Sequence, residues 1–298
     1  MTSIGEKRIS YIALALPALL IYLAVMAFPT IFSVLLSLTN YNGGKIFGNP
    51  NVKIVGFNSY KWMFTEPTGN FYTSLKNNML IVIISVFGQI PLGFIMAYFL
   101  FRKLIKGTDF FQTMIYLPNV ISPVLIGILF KNFYVNPNSV YMEIVRFFKP
   151  AAEFTLNNNP MIPVLVVILW MYTGFYMIIF LANLQRVDVS VIEAARIDGA
   201  SEGQILLYII LPALLGVIVT CTILAISGSL RSFDLIYIMT AGGPAGKTRV
   251  LSLYMYQSAF QGSPNYPLAN AISTVMVLIS FTLIIITRRV EKIFGEKE

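Results

Sequence analysis

Side chains able to do chemistry are scarce in this chain of 298 residues, and one stretch set between apolar runs gathers six of its 34 charged residues. Between Leu184 and Pro212 stand four acids, Asp188, Glu193, Asp198 and Glu202, with two bases, Arg186 and Arg196, while the flanking sequence is compatible with hydrocarbon. Histidine is absent, which excludes His-based triads, His zinc sites and imidazole proton relays. The single cysteine, Cys221, lies in an apolar run, so there is neither a disulfide framework nor a Cys metal site. A second stretch, Ala241–Thr248, comes within one residue of the phosphate-binding pattern G-x-x-x-x-G-K-[ST]. It follows a strand-like Leu235–Thr240 and precedes a possible helix from Arg249. The 37 residues of 231–267 cannot build a nucleotide-binding domain, however, and no second acidic strand offers a Mg2+ ligand.

The acidic stretch reads as two short helices joined at a glycine. Ser190 and Glu193 have the spacing of a capping box, which predicts a helix from about Val191. Gly199 is placed to end it, because glycine adopts the left-handed C-cap geometry without penalty. Ser201 and Gln204 repeat the capping spacing and start a second helix that runs to Leu211-Pro212. Such a polar hairpin, tied at both ends to apolar segments, has no core of its own. It serves either as a docking element for a soluble partner or as an ordinary loop whose caps stabilise it. For docking, Ala194 and Ala195 leave one face thin, and Glu193 and Asp198 offer charge.

The elements that must hold this hairpin are membrane spans. The chain is 57% hydrophobic and 11% charged, with a mean hydropathy of +0.75, against about 25% charged in a soluble domain. About 20 mainly apolar residues cross the hydrocarbon as a helix, and six segments qualify: 11–38, 78–101, 110–131, 161–184, 208–230 and 268–287. The expected fold is therefore an all-α polytopic membrane protein, a single domain over 1–298, with the hairpin 190–211 between spans 4 and 5. The uncharged run from Ile9 to Gly44 is too long for a signal peptide and is read as a retained span. The net charge of +8 forms no continuous patch, so nucleic acid is not a partner; lipid headgroups and topology account for it. Eleven of the 21 Lys and Arg (Lys7, Arg8, Arg102, Lys103, Lys106, Arg186, Arg196, Arg288, Arg289, Lys292, Lys297) crowd one side. That bias predicts both termini and the hairpin in the cytoplasm, and it puts Ala241–Thr248 outside, where ATP is scarce.

No charged residue lies in the middle of a span. Transporters driven by protons or sodium usually carry an intramembrane carboxylate or basic relay, so the driving energy is expected from another subunit. Neutral polar groups do occur there: Gln89, Asn119, Ser122, Thr173, Asn183, Ser227 and Ser229. Beside Trp170, Tyr172, Phe175 and Tyr176 they suit an uncharged sugar or polyol, with rings stacking on sugar faces; helix–helix hydrogen bonding and aromatic packing are the alternative use. The spans also hold many helix breakers, among them Pro29, Pro91, Pro118, Pro123, Gly174 and Gly228, which survive where neighbours or a cavity satisfy the freed backbone.

Glu193-Ala194-Ala195, Asp198-Gly199-Ala200, Ile209 and Leu211-Pro212 resemble the EAA loop of ABC importer permeases. Phe233-Asp-Leu-Ile, Thr240-Ala-Gly-Gly-Pro and Leu251–Phe260 resemble the segment after the fifth span of carbohydrate-importer permeases. Ala27–Tyr41, Gly56–Tyr60 and Leu117–Pro123 resemble further landmarks, so the likeness runs nearly end to end, to the first of the two permeases of maltose-, glycerol-phosphate- and multiple-sugar-type systems. The chain departs in having Val189-Ser190 where a proline usually precedes the docking helix, and Gly203 where an aromatic is common.

The resemblance implies a bacterial or archaeal cytoplasmic-membrane subunit that is not itself an enzyme. A second homologous permease, two cytosolic ABC ATPase subunits and an extracytoplasmic solute-binding protein would be its partners, beside membrane lipid. ATP and Mg2+ would belong to the ATPases, with no cofactor or metal in this chain. Glu193, Ala194, Ala195, Asp198 and Gly199 would couple ATP hydrolysis to transport; Trp170, Tyr172, Phe175, Ser227 and Ser229 would contact solute. An amino-acid or osmolyte importer is the alternative. An intramembrane enzyme lacks mid-span nucleophiles and ligands, and a channel lacks a filter or charged ring.

Overall fold

The computed structural model describes residues 14–46, 48–104, 106–135, 143 and 160–295. Lys7, Arg8, Lys297, residues 11–13 of the first expected span and most of the 132–160 connection lie outside them. Regular structure among the described residues is helical, apart from one isolated antiparallel bridge between Thr39 and Ile54. In chain order the helices are α1 (Leu14–Ser37), α2 (Asn58–Thr65), α3 (Asn70–Phe101), α4 (Thr108–Val120), α5 (Pro123–Val135) and α6 (Met161–Leu184), then α7 (Val189–Ile197), α8 (Glu202–Ala213), α9 (Leu215–Leu230), α10 (Asp234–Thr240), α11 (Leu251–Phe260) and α12 (Tyr266–Gly295).

Helices α1, α3, α6 and α12 are each long and apolar enough to cross a membrane. Two further candidates are bent pairs, α4 with α5 at 92° and α8 with α9 at 65°; counting each as one span gives six. Three expectations change here. The helix that contains the second expected span starts at Asn70, because the polar turns of Asn70–Asn78 continue it. The third is broken: Ile121 is extended (φ −74, ψ 140), Pro123 disfavours helical geometry at Ser122, and the Ser122 hydroxyl accepts from the Val124 N–H at 3.3 Å to start α5 afresh. The fifth begins at Glu202 and breaks at Leu214 (φ −99, ψ 4), between Pro212 and Gly216.

Three helices share one device. Five-residue π-helical turns occupy Leu23–Ala27, Ser85–Gln89 and Leu206–Ile210, and each is followed two residues later by a proline: Pro29, Pro91, Pro212. Proline lacks an N–H, and its ring clashes with the carbonyl one turn back. A widened turn relieves that clash without breaking the helix.

By contacts the chain falls into two compact units, Met1–Gly69 with Tyr254–Val277 and Asn70–Leu253 with Leu278–Glu298. In the first, Ser37 and Tyr60 share a hydrogen bond of 2.7 Å, Ser33 donates to Asn270 at 2.5 Å, and Tyr254 donates to the Glu66 carboxylate at 2.9 Å. The second unit carries the core: Ile90, Ala97, Leu100, Tyr176, Met177, Phe180, Leu184, Ile192, Ile205, Ile210, Leu214 and Cys221 form one buried cluster. Lipid is as apolar as leucine, so close packing rather than water exclusion must hold such helices together. Glycines make that approach possible. A Cβ on Gly93 would stand 2.9 Å from the Met177 nitrogen on α6, and one on Gly174 would stand 2.2 Å from the Ile115 carbonyl oxygen on α4.

The strand-like reading of Leu235–Thr240 is overturned: the segment is the helix α10. Its β-branched and aromatic residues suggest a strand, but Leu235, Ile236 and Met239 are buried at helical spacing. Ile238 of α10 would meet a Cβ on Gly127 of α5 at 3.0 Å.

Candidate functional site

The hairpin is built by three local motifs. Asp188, not Ser190, caps α7: its side chain accepts from the Ser190 N–H at 2.9 Å, and the helix starts at Val189. Ser190 therefore lies inside the first turn, where its hydroxyl and N–H both serve the carboxylate and hold Asp188 below the ordinary carboxylate range. An acid one residue before the helix has better reach to its first N–H groups than the serine two residues later. At the other end Gly199 has φ +82. There the Gly199 N–H donates to Arg196 O at 3.1 Å and the Ala200 N–H to Ala195 O at 2.9 Å, the paired bonds of a Schellman stop. Ser201 and Gln204 form the expected capping box for α8.

Two apolar pegs and two ion pairs on Glu202 fasten the hairpin. Ile192 and Ile205 enter the core cluster, with Ala195 and Ala200 against it. Glu202 receives both nitrogens of Arg102, at 2.7 and 2.9 Å, and Arg196 at 3.3 Å. Fixing these faces leaves Glu193, Ala194, Asp198 and Gly199 exposed together, while Ala195 is half-buried. Of the five residues read as coupling residues, four thus share an open surface. A shallow cavity beside them is lined by Asp198, Gly199, Ala200, Gln204 and Tyr208.

A second cavity, of about 180 Å³, lies among α3, α5, α6, α9 and α10. Ile81, Ser85 and Gln89 face it from α3, Tyr172 and Tyr176 from α6, and Gly228, Ser229, Arg231, Ser232 and Asp234 from the end of α9 and the turn into α10. The widened turn of α3 carries both Ser85 and Gln89. One N–H of Gln89 is bound by the Ile168 carbonyl at 2.7 Å, fixing the amide at the wall, and the Ser229 hydroxyl donates to Ser85 at 3.1 Å.

Of the five residues read as solute contacts, Tyr172 and Ser229 line this cavity. Trp170 is about half exposed and stands edge-on to Phe130; Phe175 meets Tyr176 edge-on; Ser227 is half-buried and not among the lining residues. The sequence reading passed over Ser85, Arg231, Ser232 and Asp234. The spacing of Ile81, Ser85 and Gln89, four residues apart, was a usable signal for one helix face. Arg231 and Asp234 were assigned to an outer connection, and nothing in the pattern marks that turn as folding onto the cavity.

The phosphate-loop lookalike is occupied with itself. Thr248 is fully buried, shares a 2.7 Å hydrogen bond with Thr240 and donates to the Gly243 carbonyl at 3.0 Å.

Compared with known proteins, residues 89–297 match the family described as binding-protein-dependent transport system inner membrane component. The lactose transport system permease protein LacF of Rhizobium radiobacter is 32% identical over 268 residues, covering 88% of this chain and 87% of the relative. The multiple sugar-binding transport system permease protein MsmF of Streptococcus mutans is 32% identical over 262 residues, covering 88% of each. Among solved structures, a bacterial ABC transporter involved in import of the acidic polysaccharide alginate matches with a TM-score of 0.78 at 20% identity, covering 97% of this chain and 96% of that one.

Proposed function

This chain belongs to the family of binding-protein-dependent transport system inner membrane components, and from that premise we propose that it is the permease subunit of an ATP-driven importer of a sugar, oligosaccharide or related polyol. The cavity among α3, α6 and α9 carries the reading. Gln89, Ser85, Ser229 and Ser232 supply neutral donors and acceptors, and Tyr172 with Phe233 supplies ring faces. Neutral hydroxyl-rich solutes match that chemistry, and two relatives bear sugar-transport names.

The cavity is small. At about 180 Å³ it falls below the roughly 300–1,000 Å³ of a small-molecule site, so the path is completed by a second homologous permease. An extracytoplasmic binding protein delivers the solute; a bacterial alginate ABC transporter in complex with an alginate pentasaccharide-bound periplasmic protein is among the solved structures that share this fold. Two cytosolic ATPases hold the ATP and Mg2+. The exposed face of Glu193, Ala194, Asp198 and Gly199 docks in the ATPase, with half-buried Ala195 behind it, and the core-anchored hairpin passes the closure on. The Lys and Arg bias supports a cytoplasmic hairpin and cytoplasmic termini, in a bacterial or archaeal cytoplasmic membrane.

A second reading has its own observation. Arg231 and Asp234 both line the cavity without forming an ion pair with each other among the described residues. Opposite charges so placed would suit a zwitterion, hence an amino-acid or osmolyte importer. ATPase activity of the reconstituted complex with its binding protein separates the two. Stimulation by one sugar, polyol or glycerol phosphate is expected; stimulation only by an amino acid or betaine-like solute would select the second reading.

A further inference from the structure

We infer that Asn78, supported by Ser252, is a positioning residue for the solute-facing wall of the cavity, setting where Ser229, Arg231 and Ser232 stand; the inference rests on the permease reading above. Asn78 is fully buried and does not line the cavity. It lies one turn before Ile81 on α3, on the face that continues through Ser85 and Gln89, all three of which do line it. Its side chain bridges two elements. The amide nitrogen donates to the Ser229 carbonyl at 3.0 Å, and the amide oxygen accepts from the Leu251 N–H at 2.7 Å.

The Ser229 carbonyl lies in the last turn of α9, beyond the reach of an i+4 partner within the helix, and accepts from the Ser232 N–H at 3.3 Å as well as from Asn78. Three residues on, the Ser232 carbonyl accepts from the Ser252 hydroxyl at 2.5 Å. The turn that presents Ser229, Arg231 and Ser232 is thus gripped at both ends from behind, by side chains that touch no solute space. Asn77 fixes the frame beside it, donating to the carbonyls of Lys247 at 2.9 Å and Arg249 at 2.8 Å. The Ser229 hydroxyl bond to Ser85 then ties the gripped turn back to α3. Removing the Asn78 amide leaves the buried Leu251 N–H without this partner and frees the Ser229 carbonyl, still bonded to the Ser232 N–H, from its tie to α3.

The test uses cells that carry the rest of the importer, with Asn78→Ala or Ser252→Ala in this chain and permease abundance measured in the membrane. Uptake is read at saturating levels of the preferred solute and of a poorer analogue, from whichever chemical class the wild type carries. The ratio of the two rates is expected to change about fivefold, the effect of one hydrogen bond, in the same direction in both variants, and Ser252→Thr, which keeps the hydroxyl, is expected to restore it. Loss of folded protein lowers both rates together and leaves the ratio where it was. An unchanged ratio in Ser252→Ala at normal abundance overturns the inference, even where Asn78→Ala fails to reach the membrane. Should the wild type carry an amino acid or osmolyte, the carbohydrate reading falls, while the ratio still tests the wall.

Discussion

Gly174 shows how little room a single position can have. Its α-carbon lies so near α4 that a Cβ would stand 2.2 Å from the Ile115 carbonyl oxygen. Backbone cannot swing aside as a side-chain tip can, so Gly174→Ala must push α4 off α6. We expect a loss of about 1–3 kcal/mol or more, measured as a lower melting temperature of the detergent-purified complex. Gly203→Ala, where nothing lies within 4 Å, is the matched control and should melt near wild type. Residue types were legible to different depths in the sequence. Gly199 could be placed because a left-handed stop follows from its position after a periodic run. Gly174 could be named as a helix breaker but not understood, since the carbonyl it accommodates is some sixty residues away in sequence. The same holds for Ser229 and Ser85, whose contact joins α9 to α3.

Among the elements, the hairpin was the most legible and was still displaced by a residue or two. Capping patterns are local, so Ser201 with Gln204 fell where the spacing put it. Asp188 won the first cap over Ser190, a competition that spacing alone does not decide. That assignment makes the hairpin acid-sensitive. The Asp188 carboxyl is held below its usual range by the Ser190 hydroxyl and N–H. A carboxyl depressed in the folded state stabilises above its unfolded pKa and loses that contribution as pH falls through the folded value. Backbone amides at the start of α7 should therefore be protected from hydrogen exchange at pH about 6 and lose protection in acid, below the ordinary carboxylate range. In Asp188→Asn, which still caps, protection should not change with pH; an unchanged pH dependence in that variant would assign it to another group. The helix breaks were only half legible: Pro118, Pro123 and Gly228 announced irregularity, but the bends fall at Ile121–Ser122, where Pro123 acts on the residues before it, and at Leu214, two residues after Pro212.

For the whole molecule, composition and run length were enough to read an all-helical membrane chain, because apolar length against bilayer thickness is a global constraint. The cavity was not readable in this way. It draws on five helices and on the turn between α9 and α10, so its residues converge only after folding. Coupling is also a property at this scale. Gly199→Asp puts a side chain on a backbone with φ +82 and a new charge on the exposed face. In the assembled complex it is expected to leave ATP hydrolysis within about threefold of wild type while solute uptake falls at least tenfold, a loss of at least about 0.7 kcal/mol in coupling. Normal uptake at normal assembly would remove the hairpin from the coupling path. The widened turn at Ser85–Gln89 carries a further consequence, for insertion and deletion. It holds one residue more than an α-helical turn would, so the extra residue is taken up within one wide turn and the helix on either side keeps its facing. A one-residue deletion there that restores ordinary α-helical bonding leaves Asn78 toward Ser229 of α9 and Gly93 against α6, whereas a deletion in the regular turns of α3 rotates one end by about 100° against the other.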